Sequence, residues 1–163
     1  MYYHQPPMSK KEKTQLTPEG LEELKIELEY RRSTKKKEIS DLLSAATEKG
    51  DLSENDEYSI AVEENLGNEA RISELVEIIK NAEVVENKKG SKEIDLGKQV
   101  TLEDDKGQEQ VIQIVGETEA NPVEKKISSK SPMGAGLIDK KEGEGTEIET
   151  PGGKKKYTIK KVN

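Results

Sequence analysis

The sequence contains no cysteine, no tryptophan and no phenylalanine, and its single histidine, His4, stands near the N-terminus. Each absence closes off a chemistry. Without thiols there is no disulfide, no thiolate nucleophile and no cysteine-ligated zinc. One terminal histidine gives no Ser-His-Asp constellation. The only aromatic residues are five tyrosines, too few to wall a ligand pocket or to build a stacking platform for bases. Apolar residues make up 30% of the chain and charged residues 37%. That ratio disfavours one thick core in 163 residues and favours an elongated molecule of one or two small domains. No stretch approaches membrane-span length, and "MYYHQPPMSKKEKTQ" lacks the apolar run of a signal peptide. A cytoplasmic protein with no membrane partner is expected, with residues 1–15 as a flexible extension and Met8 as an alternative start. The net charge of −7 argues against tight autonomous binding to duplex DNA. Lys35-Lys36-Lys37 and Lys154-Lys155-Lys156 remain as local basic runs able to touch a phosphate backbone.

What is present is periodic. In "LTPEGLEELKIELEY", Thr17 is placed to cap a helix, Pro18 suits its first position and Glu19 its positive end. Leu21, Leu24 and Leu28 draw an apolar stripe that thins at Arg31, Thr34 and Lys35 and resumes at Ile39, Leu42, Leu43 and Ala46. A second helix is expected just after Gly50, with a seam through Tyr58, Val62, Asn65, Glu69, Ile72, Val76 and Ile79, and with Ala61 and Leu75 beside it. Asn65 in that seam would set register at a cost in stability. Neither stripe can be buried alone, so the two runs are expected to fold back as an antiparallel hairpin over residues 16–83, with arms of about 45 Å.

The pattern changes after Ala82. "EVVENKKGSKEIDLG" reads as a polar linker, placed at residues 84–96. Short alternating stretches follow over residues 97–163: "KQVTLED", "QEQVIQIVG", "KKISSKS", "TEIET" and "KKKYTIKKV". "EDDKGQ" and "TPGGKK" read as hairpin turns, and "SPMGAGLID" as a short helix opened by Ser131 and Pro132. The expected class is α+β, a helical hairpin followed by a β-rich domain.

The hairpin turn carries "KGDLSENDEY". From Glu48 to Glu64 there are seven acids and one base, Lys49. Capping accounts for any one of them, since Asp51-x-x-Glu54 and Ser53-x-x-Asp56 both have capping-box spacing. The whole cluster repels itself, a cost no cap requires. Carboxylates three apart at a turn can converge on one hard cation, but two of them leave a Mg²⁺ shell incomplete. A rod that presents two carboxylates at its end could instead complete another protein's metal site.

"LTPEGLEELKIELEY", "GDLSENDEY", "ISSKSPMGAGLI" and "TPGGKKKYTI" together resemble, in order and spacing, the GreA/GreB family of bacterial transcript cleavage factors, over about Leu16 to Val162. The resemblance implies a coiled coil followed by an FKBP-like domain. It implies a partner, bacterial RNA polymerase, on which the C-terminal domain docks while the hairpin enters the secondary channel. There the polymerase's own nuclease activity would be stimulated to cut the 3′ end of backtracked RNA, so the protein would be no enzyme alone, and a monomer is expected. The family's tip carboxylates fall on Asp51 and Glu54, which would share a Mg²⁺ with the polymerase, with none bound by the isolated chain. Leu52, Ser53 and Asn55 would shape the tip, and Ser131, Pro132 and Met133 fall on the segment linked with docking. Relatives often carry a basic residue where this chain has Thr47 and Val62, and an arginine where it has Ala135. Weaker handling of long backtracked RNA is expected from those changes, with the metal chemistry kept. A second reading is a channel regulator that inhibits or modulates synthesis without cleavage. Prolyl isomerisation is disfavoured because the C-terminal half holds one aromatic, Tyr157. A plain coiled-coil adaptor would be indifferent to loss of Asp51 and Glu54.

Overall fold

Thr17 opens the first helical arm as expected. Its side chain accepts a hydrogen bond from Gly20 N at 3.0 Å, and Pro18 takes a first-turn position where no N–H is needed. The computed structural model describes residues 13–48, 56–86, 90–150 and 153–163. The first arm runs through α1 (Pro18–Tyr30), a π-helical turn (Arg31–Lys35) and α2 (Lys36–Glu48). The second is one helix, α3 (Asp56–Lys80).

The seam between the arms explains the π turn. On α3 the buried residues Ala61, Asn68 and Leu75 recur every seven positions. Facing them on the first arm are Leu24, the half-buried Arg31, Ile39 and Ala46. The steps there are seven, eight and seven, so one residue is surplus between Arg31 and Ile39. The π turn absorbs it: the Lys36 N–H donates to the Arg31 carbonyl, five residues back. Cross-arm pairs confirm the antiparallel register. Arg71 Nη2 lies 2.8 Å from Glu27 Oε2, Lys36 Nζ lies 2.9 Å from Glu69 Oε1, and Lys35 pairs with Glu64.

Three expectations need correction. The buried asparagine is Asn68, at 2% exposure, not Asn65. Leu42 and Val76, placed on the expected stripes, lie exposed, and Ala61, placed beside the seam, is buried in it, while Ile39 and Ala46 are buried as expected. Asn68 takes the inner place because its amide is satisfied there: Nδ2 donates to the Arg31 carbonyl at 3.2 Å. Secondly, the chain is in a strand before Thr17. β1 (Thr14–Leu16) pairs in parallel with β2 (Ala82–Val84), so β1 takes in Thr14 and Gln15 of the expected N-terminal extension and β2 takes in Val84, the first residue of the expected linker. Thirdly, the linker is not polar throughout, since Ile94 and Leu96 are buried at 0% and 3% exposure.

At the hairpin base Leu16, Leu24 and Leu75 form a buried cluster against Leu21, Leu28 and Ile79. Beyond it a curled five-stranded sheet has the order β5-β4-β3-β7-β6. Its strands are β3 (Gln99–Asp104), β4 (Glu109–Val115), β5 (Lys126–Ser128), β6 (Gly145–Thr150) and β7 (Gly153–Val162). Only the β4–β5 pair is parallel. Alternate residues such as Val100, Leu102, Ile112, Ile114 and Ile159 point to one face and pack with Leu137 of α4 (Pro132–Leu137). The β3–β4 turn is closed by Asp104, whose Oδ1 accepts from Lys106 N and Gln108 N. Observed and expected architecture agree: α+β, a helical hairpin followed by a curled sheet with one short helix.

Deleting Ser33, which is exposed in the π turn, should restore a seven-residue step and leave the melting temperature unchanged or higher by circular dichroism. Deleting Asp41 should take Ala46 off the seam and lower the melting temperature by more than about 5 °C.

Candidate functional site

The residues expected at the hairpin tip, Asp51, Leu52, Ser53, Glu54 and Asn55, lie outside the described residues. Their flanks are described. α2 ends at Glu48 and α3 opens at Asp56, with Asp56 and Glu57 exposed in its first turn, where acids suit the positive helix end. These ends lie opposite the β1–β2 ribbon, as the cross-arm register requires. Among the described residues no group of three or more metal-capable side chains is assembled. Thr47 is exposed, its hydroxyl donating to the Ser44 carbonyl at 2.7 Å, and Val62 is half-buried on α3. Neither position supplies a cation to the distal rod.

The middle of the rod is polar and committed to itself. Glu27 accepts from Arg71 Nε at 3.0 Å and Nη2 at 2.8 Å, and from Arg31 Nε at 2.7 Å. Arg71 also donates to Glu74 Oε2 at 2.9 Å. The Arg71 hydrogen bonds, helped by those of Arg31 and opposed by partial burial, hold the Glu27 carboxyl down from 4.5 to about 2. The same contact raises the Arg71 guanidinium, so that pair stays charged. Lys35 is raised by its hydrogen bond to Glu64. This network sets the register of the arms.

The docking candidates form a second locus. Ser131 caps α4: its Oγ accepts from Gly134 N at 3.1 Å and donates to the Ser128 carbonyl at 2.7 Å. Pro132 is exposed at the first turn, and Met133 is half-buried against the sheet core. The three residues line an apolar cleft of about 280 Å³ together with Pro122, Ile127 and Ile148. Met133 therefore packs on the core while walling the cleft. Pro122 and Ile148 could not be foreseen there, because they come from a 3₁₀ turn and from β6, far apart in sequence. Ala135 is exposed on α4 but lines a different hollow, beside Leu96 and Ile138.

The Glu27 network makes stability pH-dependent. A depressed carboxyl contributes stability that is full above its unfolded value and is lost as pH falls through the folded value. Glu27→Gln should therefore destabilise the hairpin at pH 7, and its penalty should shrink between about pH 4.5 and 2. Denaturant melts of wild type and variant across that window would show it.

Comparison with known proteins shows the family. Residues 14–84 match the family of transcription elongation factor N-terminal domains, and residues 88–163 match the GreA/GreB C-terminal domain of transcription elongation factors. The transcription elongation factor GreA of Bacillus subtilis is 42% identical over 149 residues, which is 91% of this chain and 95% of that protein. GreA of Clostridium acetobutylicum is 39% identical, with 93% and 98% covered. Of solved structures, GreA factor homolog 1 of Thermus thermophilus is 32% identical, with 93% of this chain and 99% of that one covered and a TM-score of 0.43. No helix among the described residues is long and apolar enough to cross a membrane. With both halves of the chain matched, and GreA proteins similar over nearly its full length, the chain belongs to the GreA/GreB family of transcription elongation factors.

Proposed function

We propose that this protein acts on bacterial RNA polymerase in the cytoplasm, docking by its C-terminal domain at the secondary channel. Its hairpin enters the channel and promotes Mg²⁺-dependent cleavage of the 3′ end of backtracked RNA. The observation that carries this reading is the form of the hairpin. It is a registered rod whose base meets the C-terminal domain and whose far arm ends, Glu48 and Asp56, bracket "KGDLSEN". The 25 residues of α3 alone correspond to about 37 Å of reach.

The donors in that stretch suit a hard cation: Asp51 and Glu54 offer carboxylate oxygens, and no histidine or cysteine stands near them. Two carboxylates leave most of an octahedral shell open, so Mg²⁺ would be held jointly with the polymerase. When bound, the ion supplies charge stabilisation for phosphodiester hydrolysis. The chain's own part is to present Asp51 and Glu54, orient the attacking water and shape the turn through Leu52, Ser53 and Asn55. It stimulates the polymerase and is not an enzyme by itself. Ser131, Pro132 and Met133 offer docking the apolar cleft of the C-terminal domain.

A backtracked elongation complex of matched polymerase with 3′-labelled RNA and Mg²⁺ tests the reading. Wild type should release labelled di- or trinucleotides. Asp51→Asn and Glu54→Gln should each lower the rate by at least the ~10–100-fold that changes around a metal cost. Binding without release, together with slowed nucleotide addition, would replace this reading by the channel regulator, to which the uncharged Thr47 and Val62 point. Met133→Glu, which puts a charge into the apolar cleft, should weaken polymerase binding by about tenfold or more.

A further inference from the structure

The hairpin base and the C-terminal sheet have separate apolar clusters with no residue in common. Among the described residues, no shared apolar cluster therefore sets the direction of the rod relative to the domain that carries it. A carboxylate joins them instead. Glu119, in a 3₁₀ turn (Glu117–Glu119) after β4, accepts from Thr17 N at 3.0 Å through Oε2, and from the Thr17 hydroxyl through Oε1. Its Oε2 also accepts from Gly116 N at 3.0 Å, so the same group holds its own turn closed. Thr17 is polar yet only 2% exposed, and its hydroxyl is the cap of α1. Glu119 thus grips the rod at the residue that caps its first helix.

Two glycines show that the contact is built into the chain. A Cβ on Gly20 would come within 1.6 Å of Glu119 Oε1, and one on Gly116 within 2.2 Å of the Gln15 carbonyl. Both would collide across the junction of the two parts. Gly20 occupies a first-turn helical position where glycine is otherwise a poor choice, and the carboxylate fills the space its missing side chain leaves. A weaker second link lies alongside, Lys126 Nζ to Glu23 Oε1 at 3.4 Å.

We propose that Glu119 is a positioning residue for the tip carboxylates: by clasping Thr17 it fixes the angle at which the rod leaves the docking domain. This rests on the proposed cleavage function. The lever makes the angle matter. From Thr17 to Glu48 the arm spans roughly 45 Å, so a 10° swing at the clasp displaces the far end by about 8 Å. Misplacement of about 1 Å can already cost a reaction on the order of 100-fold.

The absence of cysteine gives a clean test. Spin labels on Ser40→Cys and Lys155→Cys, both exposed positions, report the distance between rod and sheet by pulsed dipolar spectroscopy. The otherwise unaltered chain should give one narrow distribution. Glu119→Ala, Glu119→Gln and Gly20→Ala should broaden or shift it by several Å, and Thr17→Ser should preserve it. At saturating factor the Glu119 variants should lose about tenfold or more in cleavage rate, while competition binding to polymerase stays within about threefold. Circular dichroism checks that the helices persist, and should Gly20→Ala not fold, the Glu119 variants decide. An unchanged distance distribution in Glu119→Ala overturns the clasp, and a changed one with full cleavage overturns the positioning role. If wild type promotes no cleavage, the functional reading falls, while the distance measurement still decides whether Glu119 sets the angle.

Discussion

The hairpin depends on the fork of Arg71 on Glu27. Two guanidinium N–H groups meet the two carboxylate oxygens across the arms, and Arg31 adds a third donor from the same arm as Glu27. Apolar burial along this seam is sparse: Leu24 and Leu75 at the base, Ile39, Ala46 and Ala61 further out. Leucines packed on leucines tolerate a slip better than a planar fork does, because the fork needs both oxygens at hydrogen-bond distance. Asn68 adds a second constraint by spending its amide on the carbonyl of Arg31. Ion pairs this close to solvent contribute modestly to stability when taken singly. Their larger contribution here is register.

Register has to survive an irregularity. The first arm carries one residue more than a heptad path allows, and the π turn takes it up where the seam is already polar. The extra residue falls among Arg31, Arg32, Lys35 and Lys36, whose long stems and charged heads accommodate an off-pattern turn that a tightly packed apolar layer would resist. The seam residues on either side keep their seven-residue steps, and the arm ends Glu48 and Asp56 remain at the far end of the rod.

The C-terminal domain solves a different problem. Its five strands close one face over Ile94, Leu137 and Tyr157, among others, and leave the other face to charge pairs such as Lys160 with Glu103. Its buried apolar cluster shares no residue with that of the hairpin base, and polar contacts cross the junction between them, holding direction through hydrogen-bond geometry. The groups at the base of the rod that meet the C-terminal domain include Thr17 with Glu119, Gly20, Gly116 and the Glu23–Lys126 pair.

What could be read from the sequence was what a few neighbouring residues decide. Thr17 with Pro18, and Ser131 with Pro132, announced helix starts because capping is settled within one turn. The alternation in "QVIQIV" and "KYTIKK" announced strands, and the concentration of acids in "GDLSENDEY" marked the candidate site by composition. The tertiary structure decided which residues meet. Asn68 rather than Asn65 is buried because the opposite arm places a carbonyl beside it. The three-residue strands β1 and β2 exist because the ends of the hairpin bring residues 14 and 82 together. Glu119 reaches Thr17 across 102 positions. A pattern with a period of two or seven lies within any short window of sequence. A hydrogen bond between distant residues leaves no periodic trace, because only the folded chain makes its partners neighbours.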